Sequence, residues 1–162
     1  MHARESDNAG VAIAVPPIEI DTLVPCSPGA AFDYFTRDVG RWWPLARYSC
    51  SQARARSVAF DGRVGGHLTE TDADGKEYVW GTVTDWEPGR KVALTWHPAR
   101  SPDRAMRVAV TFEAAGASTR VRLVHSGWEA LGAEAAEVRD GYANGWPNVL
   151  GKVYKGYCEG TA

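Results

Sequence analysis

No stretch of the sequence approaches about eighteen consecutive apolar residues, the length a membrane-spanning helix needs, so no such helix is expected. Charge of one sign is also missing. Lys and Arg number 18 against 20 Asp and Glu, a formal net charge of -2. A nucleic-acid-binding protein of this size would carry a basic excess, so nucleic acid is not an expected partner. Cysteine is sparse: Cys26, Cys50 and Cys158 are an odd, widely spaced set. They suit reduced thiols in a cytoplasm better than a disulfide framework. A secretory leader is not expected either, because the apolar run Val11 to Val15 is short and Glu5 and Asp7 precede it.

Metal and cofactor signatures are lacking as well. His67, His97 and His125 have no neighbouring histidine or cysteine at ligand spacing. There is no Gly-x-Ser-x-Gly elbow, and Gly62-Arg63-Val64-Gly65-Gly66 lacks the lysine and hydroxyl of a phosphate-binding loop. No metal, cofactor or catalytic residue is assigned from the sequence. What is abundant is tryptophan, with seven in 162 residues, beside six Tyr and four Phe. Each indole is large and carries one N–H that needs a partner when buried. So many of them point to an aromatic-lined cavity or to a broad sheet covered by large residues.

The length suits a single domain with a real core. Residues 1–16 are expected to form a disordered tail, and 17–158 the folded domain. Ile18 to Val24 alternates apolar and polar, the mark of a strand. Ser27-Pro28 reads as the N-cap and first position of a helix over 28–36, followed by a short turn of helix stopped at Pro44. From Arg56 the period changes to two. Six strands joined by turns such as Asp72 to Gly75 then predict an antiparallel meander. Val138, Tyr142, Trp146, Val149, Val153 and Tyr157 place a long amphipathic helix over 134–158, with Pro147 expected to kink or widen it.

Several fragments stand in a definite order along the chain. They are Phe32 to Trp43 ending in Trp42-Trp43-Pro44, then Gly65-Gly66, then Gly81-Thr-Val-Thr-Asp-Trp-Glu-Pro88, then Leu94-Thr95-Trp96. His125-Ser126-Gly127-Trp128 and Gly145-Trp146-Pro147-Asn148-Val149-Leu150 complete the set. In this combination, over residues 18 to 158, the chain resembles the SRPBCC (START/Bet v 1-like) superfamily. Within it, the chain is similar to bacterial proteins of the activator of Hsp90 ATPase homologue family. The resemblance implies an α+β helix-grip fold: a curved seven-stranded antiparallel sheet around a long C-terminal helix, with two short helices between strands 1 and 2. It also implies a cavity for a small hydrophobic or aromatic ligand. The alternatives are a chaperone-interaction protein acting on an Hsp90-type ATPase, and an enzyme using the same cavity.

Alternation sorts the strand residues into faces. Val92, Leu94 and Trp96 share one face, as do Met106, Val108, Val110 and Phe112, and Val121, Leu123 and His125. The charged opposite faces belong in solvent, so these sets face the helix. Tyr78, Trp80, Thr82, Thr84 and Trp86 form one face of the long strand and Glu77, Val79, Gly81, Val83 and Asp85 the other. Either can look inward, and the aromatic set is taken as nearer the ligand. The expected ligand-binding residues are therefore Trp43, Tyr78, Trp80, Thr82, Trp96, Val108, Val110, Leu123, His125, Tyr142, Trp146 and Val149. Polar anchors among them are His125, Tyr78, Thr82 and the Trp80 and Trp146 N–H groups. His125 is the one candidate acid–base group, because imidazole titrates near neutrality. It competes with a purely structural histidine near the start of the helix. Glu70 is expected at the surface, as glutamates usually are.

Overall fold

The computed structural model describes residues 15–161. Most of the expected N-terminal tail, residues 1–14, lies outside the described residues. β1 (Ile18–Val24) is followed by α1 (Pro28–Thr36) and α2 (Val39–Trp42). Then come β2 (Ala55–Phe60), β3 (His67–Asp72), β4 (Glu77–Glu87), β5 (Lys91–Trp96), β6 (Met106–Ala115) and β7 (Ser118–Ser126). The chain closes with a 3-10 turn over Trp128–Glu134, α3 (Ala135–Asn148), a π-helical stretch Val149–Tyr154 and α4 (Lys155–Thr161). All seven strands join in one antiparallel sheet in the order β1-β7-β6-β5-β4-β3-β2. This is the expected helix-grip architecture. A meander from β2 to β7 leaves β1 to pair at the far side of β7, and α1 and α2 carry the chain between the two sheet edges.

Local chemistry explains the starts and stops. Ser27 caps α1 by accepting from the Ala30 N–H at 3.2 Å, and Pro28 occupies the first turn, where its missing N–H costs nothing. Ala31, Phe32 and Phe35 bury one side of α1, with Phe32 edge-on to Trp86 and Phe112. Pro44 follows the end of α2, and Trp42 anchors it by donating its N–H to the Tyr34 carbonyl at 2.8 Å. At the C-terminus, Pro147 supplies no N–H to the helix ladder, and the helix widens into the π stretch that begins two residues later. The buried stripe continues through it as Trp146, Val149, Leu150, Tyr154 and Cys158. Tyr154 ties the stripe to α1 by donating its hydroxyl to the Ala31 carbonyl at 2.7 Å.

The inner faces of β5, β6 and β7 are those that alternation picks out: Val92, Leu94 and Trp96, Met106, Val108, Val110 and Phe112, and Val121, Leu123 and His125 are all buried. β4 departs from strict alternation. Leu68 pairs with Gly81 and Thr69 with Val79, so Trp80 is an extra residue. Val83 pairs with Leu94 and Asp85 with Ala93, so Thr84 is another. These two bulges reset the faces. Trp80 and Trp86 turn inward, whereas Thr82 pairs with the exposed His67 and Thr84 is exposed. The expectation of one continuous aromatic face that includes Thr82 and Thr84 is corrected. The crossing at Gly81 also has no room for a side chain: a Cβ there would lie 1.7 Å from the Thr95 carbonyl oxygen.

Candidate functional site

A cavity of about 300 Å³ opens between the first half of the C-terminal helix, the ends of β4 and β5, and the loop after α2. Its floor is built from Trp43, Trp80, Trp96 and Trp146. They touch one another directly, with ring centroids 5.3 to 6.3 Å apart and steep tilts between planes. Tyr142 and Trp146, one helical turn apart on α3, lie nearly parallel at 24° and give one wall a flat surface. Val138, Gly141, Gly145 and Val149 complete that wall. Arg47, Tyr48, Ser49 and Cys50 form the facing wall, and Pro98 with Ala99 form part of the rim. Ala99 holds φ at +63°, a left-handed conformation uncommon for a residue with a side chain.

The four floor indoles have their N–H groups fixed inside the protein. Trp43 donates to the Tyr48 carbonyl at 2.7 Å, Trp80 to Glu70 Oε1 at 2.9 Å, Trp96 to the Tyr142 hydroxyl at 3.1 Å and Trp146 to His125 Nδ1 at 3.0 Å. The expectation that the Trp80 and Trp146 N–H groups orient a ligand is therefore corrected. These donors hold the rings in place, and what the cavity receives from them is aromatic surface.

Glu70 is the second correction. It is fully buried rather than at the surface. Its carboxylate accepts from the Cys50 and Ser51 backbone N–H groups, each at 2.8 Å, from the Ser51 hydroxyl and from Trp80 Nε1. Burial by itself pushes the carboxyl up. The four donated hydrogen bonds outweigh it and hold Glu70 below its ordinary value, ionised. One side chain thus binds the loop wall to the tryptophan floor. Beside it, burial and then the Glu70 charge push the Cys50 thiol up to about 11. Cys50 is a neutral wall residue, with no thiolate character at neutral pH.

His125 lies behind the floor and does not line the cavity. It is fully buried, stacked on Trp128 at 4.2 Å and edge-on to Tyr142 at 4.6 Å. An indole N–H can only donate, so His125 Nδ1 is the acceptor and Nε2 carries the proton, facing Met106 Sδ at 3.4 Å. Burial, with the Arg139 charge adding to it, lowers its pKa to about 3. The ring is neutral at physiological pH and both nitrogens are engaged, which does not suit an acid–base group in the cavity.

Of the residues proposed from sequence, Trp43, Trp80, Trp96, Tyr142, Trp146 and Val149 are brought together around the cavity. Tyr78 instead donates its hydroxyl to Asp72 at 2.9 Å, and Thr82 is on the outer side of its bulge. Val108, Val110 and Leu123 pack in the closed core. The residues that sequence reading missed are mainly those of the aperiodic 45–54 segment. A fainter signal was present at Gly141 and Gly145, small residues one turn apart beside Tyr142 and Trp146, where side chains would otherwise fill the space. Among the described residues no group of His, Cys, Asp and Glu is placed to hold a metal ion, and no helix is long and apolar enough to cross a membrane.

An α+β helix-grip domain with an aromatic cavity under its long helix defines the class. The profile of the family described as Activator of Hsp90 ATPase homolog 1-like protein matches residues 25–155, and the chain belongs to that family, within the SRPBCC superfamily. Among solved structures it is similar to the anthrahydroquino-γ-pyrone synthase Txn09, solved in complex with SUM. The two are 31% identical with a TM-score of 0.56, over 77% of this chain and 85% of that one. It shares its fold with the self-sacrificing resistance protein CalC of Micromonospora echinospora (23% identity, TM-score 0.66, 91% of this chain and 96% of that one). The same holds for the Aha1 dimer of Colwellia psychrerythraea (17% identity, TM-score 0.55, 84% and 97%). No curated protein matches the sequence.

Proposed function

We propose that the chain binds a compact, planar aromatic small molecule in the cavity under α3. The observation that carries this is the construction of the site. Four buried tryptophans and Tyr142 present ring surface to one space, with their N–H groups already engaged elsewhere. A volume of about 300 Å³ is at the small end of the ~300–1,000 Å³ usual for small-molecule sites, which favours a compact ring system over an extended lipid chain. The near-parallel Tyr142 and Trp146 rings suit stacking by a flat ligand. The 31% identity to a synthase of a polycyclic aromatic is in keeping with this class of ligand. Cys26, Cys50 and Cys158, few and widely spaced, suit the cytoplasmic location expected from the sequence.

Catalysis in the same cavity is the second reading, favoured by that synthase. In that case the proton donor facing the ligand is Tyr142 and not His125. The Hsp90-activator reading rests on the family description and on the fold shared with Aha1. Calorimetric titration with the neutral probe 2-naphthalenemethanol tests the binding reading. Saturable one-to-one binding is expected. Absence of saturable heat up to the solubility limit, with no small molecule retained by freshly purified protein in native mass spectrometry, would contradict it.

A further inference from the structure

Among the described residues that line the cavity, Arg47 is the only charged one. It is exposed at the rim, its guanidinium 5.4 Å from the Tyr48 ring centroid, and among the described residues no carboxylate pairs with it. Deeper in, the Tyr142 oxygen accepts from Trp96, which leaves its O–H free to donate. Arg100 acts on that hydroxyl in the same sense, with its guanidinium paired to Glu134 at 3.7 Å. Glu70, the carboxylate nearest the wall, does not line the cavity and is capped by its four donors. Ser49 is already engaged on both sides, donating to Leu45 and accepting from Gln52. The side-chain polar groups left for a ligand are therefore the Tyr142 and Tyr48 hydroxyls, each able to donate, and one positive charge, with no carboxylate among them.

Resting on the binding reading above, we propose that the ligand is an acidic aromatic, a phenolate or aryl carboxylate, and that Arg47 selects for the anion at the cavity mouth while Tyr142 donates to an oxygen on the ring system. An aromatic box can instead favour a cation, because ammonium groups are attracted to ring faces. That arrangement needs rings held apart around the ion. Here Trp43 touches Trp80, Trp96 and Trp146 directly, so the tryptophans form a continuous floor and not a cage.

Three probes of one ring size separate the possibilities: 2-naphthoate, 2-naphthalenemethanol and 2-naphthylmethylammonium, titrated calorimetrically at neutral pH and low salt. The anion is expected to bind about tenfold more tightly than the ammonium, the range that one rim charge acting oppositely on the two supplies. Arg47→Gln should shrink that ratio and Arg47→Glu should invert it. Equal binding of anion and ammonium by the unmodified protein, or a ratio unmoved in Arg47→Glu, would overturn this inference while leaving the cavity reading in place. Failure of all three probes to bind would overturn this inference, and with no small molecule retained in native mass spectrometry the cavity reading as well. Arg47 is an exposed loop residue, so circular dichroism identical to the unmodified protein is expected for both variants.

Discussion

Trp146 donates its indole N–H to Nδ1 of His125 across 3.0 Å, and that bond decides which nitrogen of the imidazole carries the proton. A tryptophan of the cavity floor is thereby locked by a histidine one layer deeper. Of the two readings the sequence leaves for His125, acid–base candidate or structural histidine, the bond fits the second.

Burial of the same imidazole, with the Arg139 charge adding to it, gives the protein an acid sensitivity. His125 titrates near its ordinary value when the chain is unfolded but only at about 3 when folded. Below about pH 6.5 the unfolded chain therefore takes up a proton that the folded chain refuses. Acidification favours unfolding by up to about 1.4 kcal/mol per pH unit from this one group. Urea unfolding at pH 7.5, 6.5 and 5.5 should show the midpoint falling over the last step. In His125→Gln, which keeps an acceptor for Trp146, the fall over that step should flatten. An equal fall in both proteins would remove His125 as its source.

Glu70→Gln tests the join between loop and floor. The carboxylate accepts four hydrogen bonds from donors alone, and an amide would turn an N–H₂ toward one of them. Losing charge-assisted bonds and leaving a buried donor unmatched should cost about 2–3 kcal/mol. The urea midpoint reports this directly, and 2-naphthalenemethanol affinity should fall with it because both Trp80 and the 49–51 segment are released. An unchanged midpoint would show that Glu70 is not the tie.

Gly141 borders the cavity, and beyond its chain neighbours and its own helix backbone no atom lies within 4 Å of where a Cβ would be. Gly141→Ala should stabilise the helix by about 1 kcal/mol through propensity alone. Gly141→Leu should fold as well as the alanine variant yet lose most probe binding, since its side chain enters the cavity. Normal affinity in Gly141→Leu would place the binding site elsewhere.

The succession of strands and helices was legible because it rests on periods of two and three to four, which run for many residues, while the closing pair of β1 with β7 is a long-range contact that no period marks. Ser27-Pro28 and Pro147 marked a helix start and a widening through local chemistry. The inner faces of β5, β6 and β7 followed from alternation for the same reason. β4 did not, because a bulge shifts every later residue to the other face and leaves no mark in the sequence. Alternation alone therefore puts Thr82 on the face of Trp80, and the bulge at Trp80 turns it to the other. The cavity was half legible. Its tryptophans stood out by number, but Arg47 to Cys50 belong to a segment with no period, held by a carboxylate twenty residues away in sequence. Glu70 itself reads as a surface residue until four donors from other parts of the chain surround it.

Indole resonances give the most direct test of where a ligand sits. Each of the seven tryptophans contributes one N–H cross-peak in a ¹H–¹⁵N spectrum, and an aromatic ligand shifts the nearby ones by its ring current. On titration with 2-naphthoate, the cross-peaks of Trp43, Trp80, Trp96 and Trp146 should move together and saturate at one equivalent site, while Trp86 and Trp128, outside the cavity lining, stay fixed. Shifts confined to Trp86 or Trp128, or none at all at the highest probe concentration, would contradict an aromatic-binding cavity under the C-terminal helix.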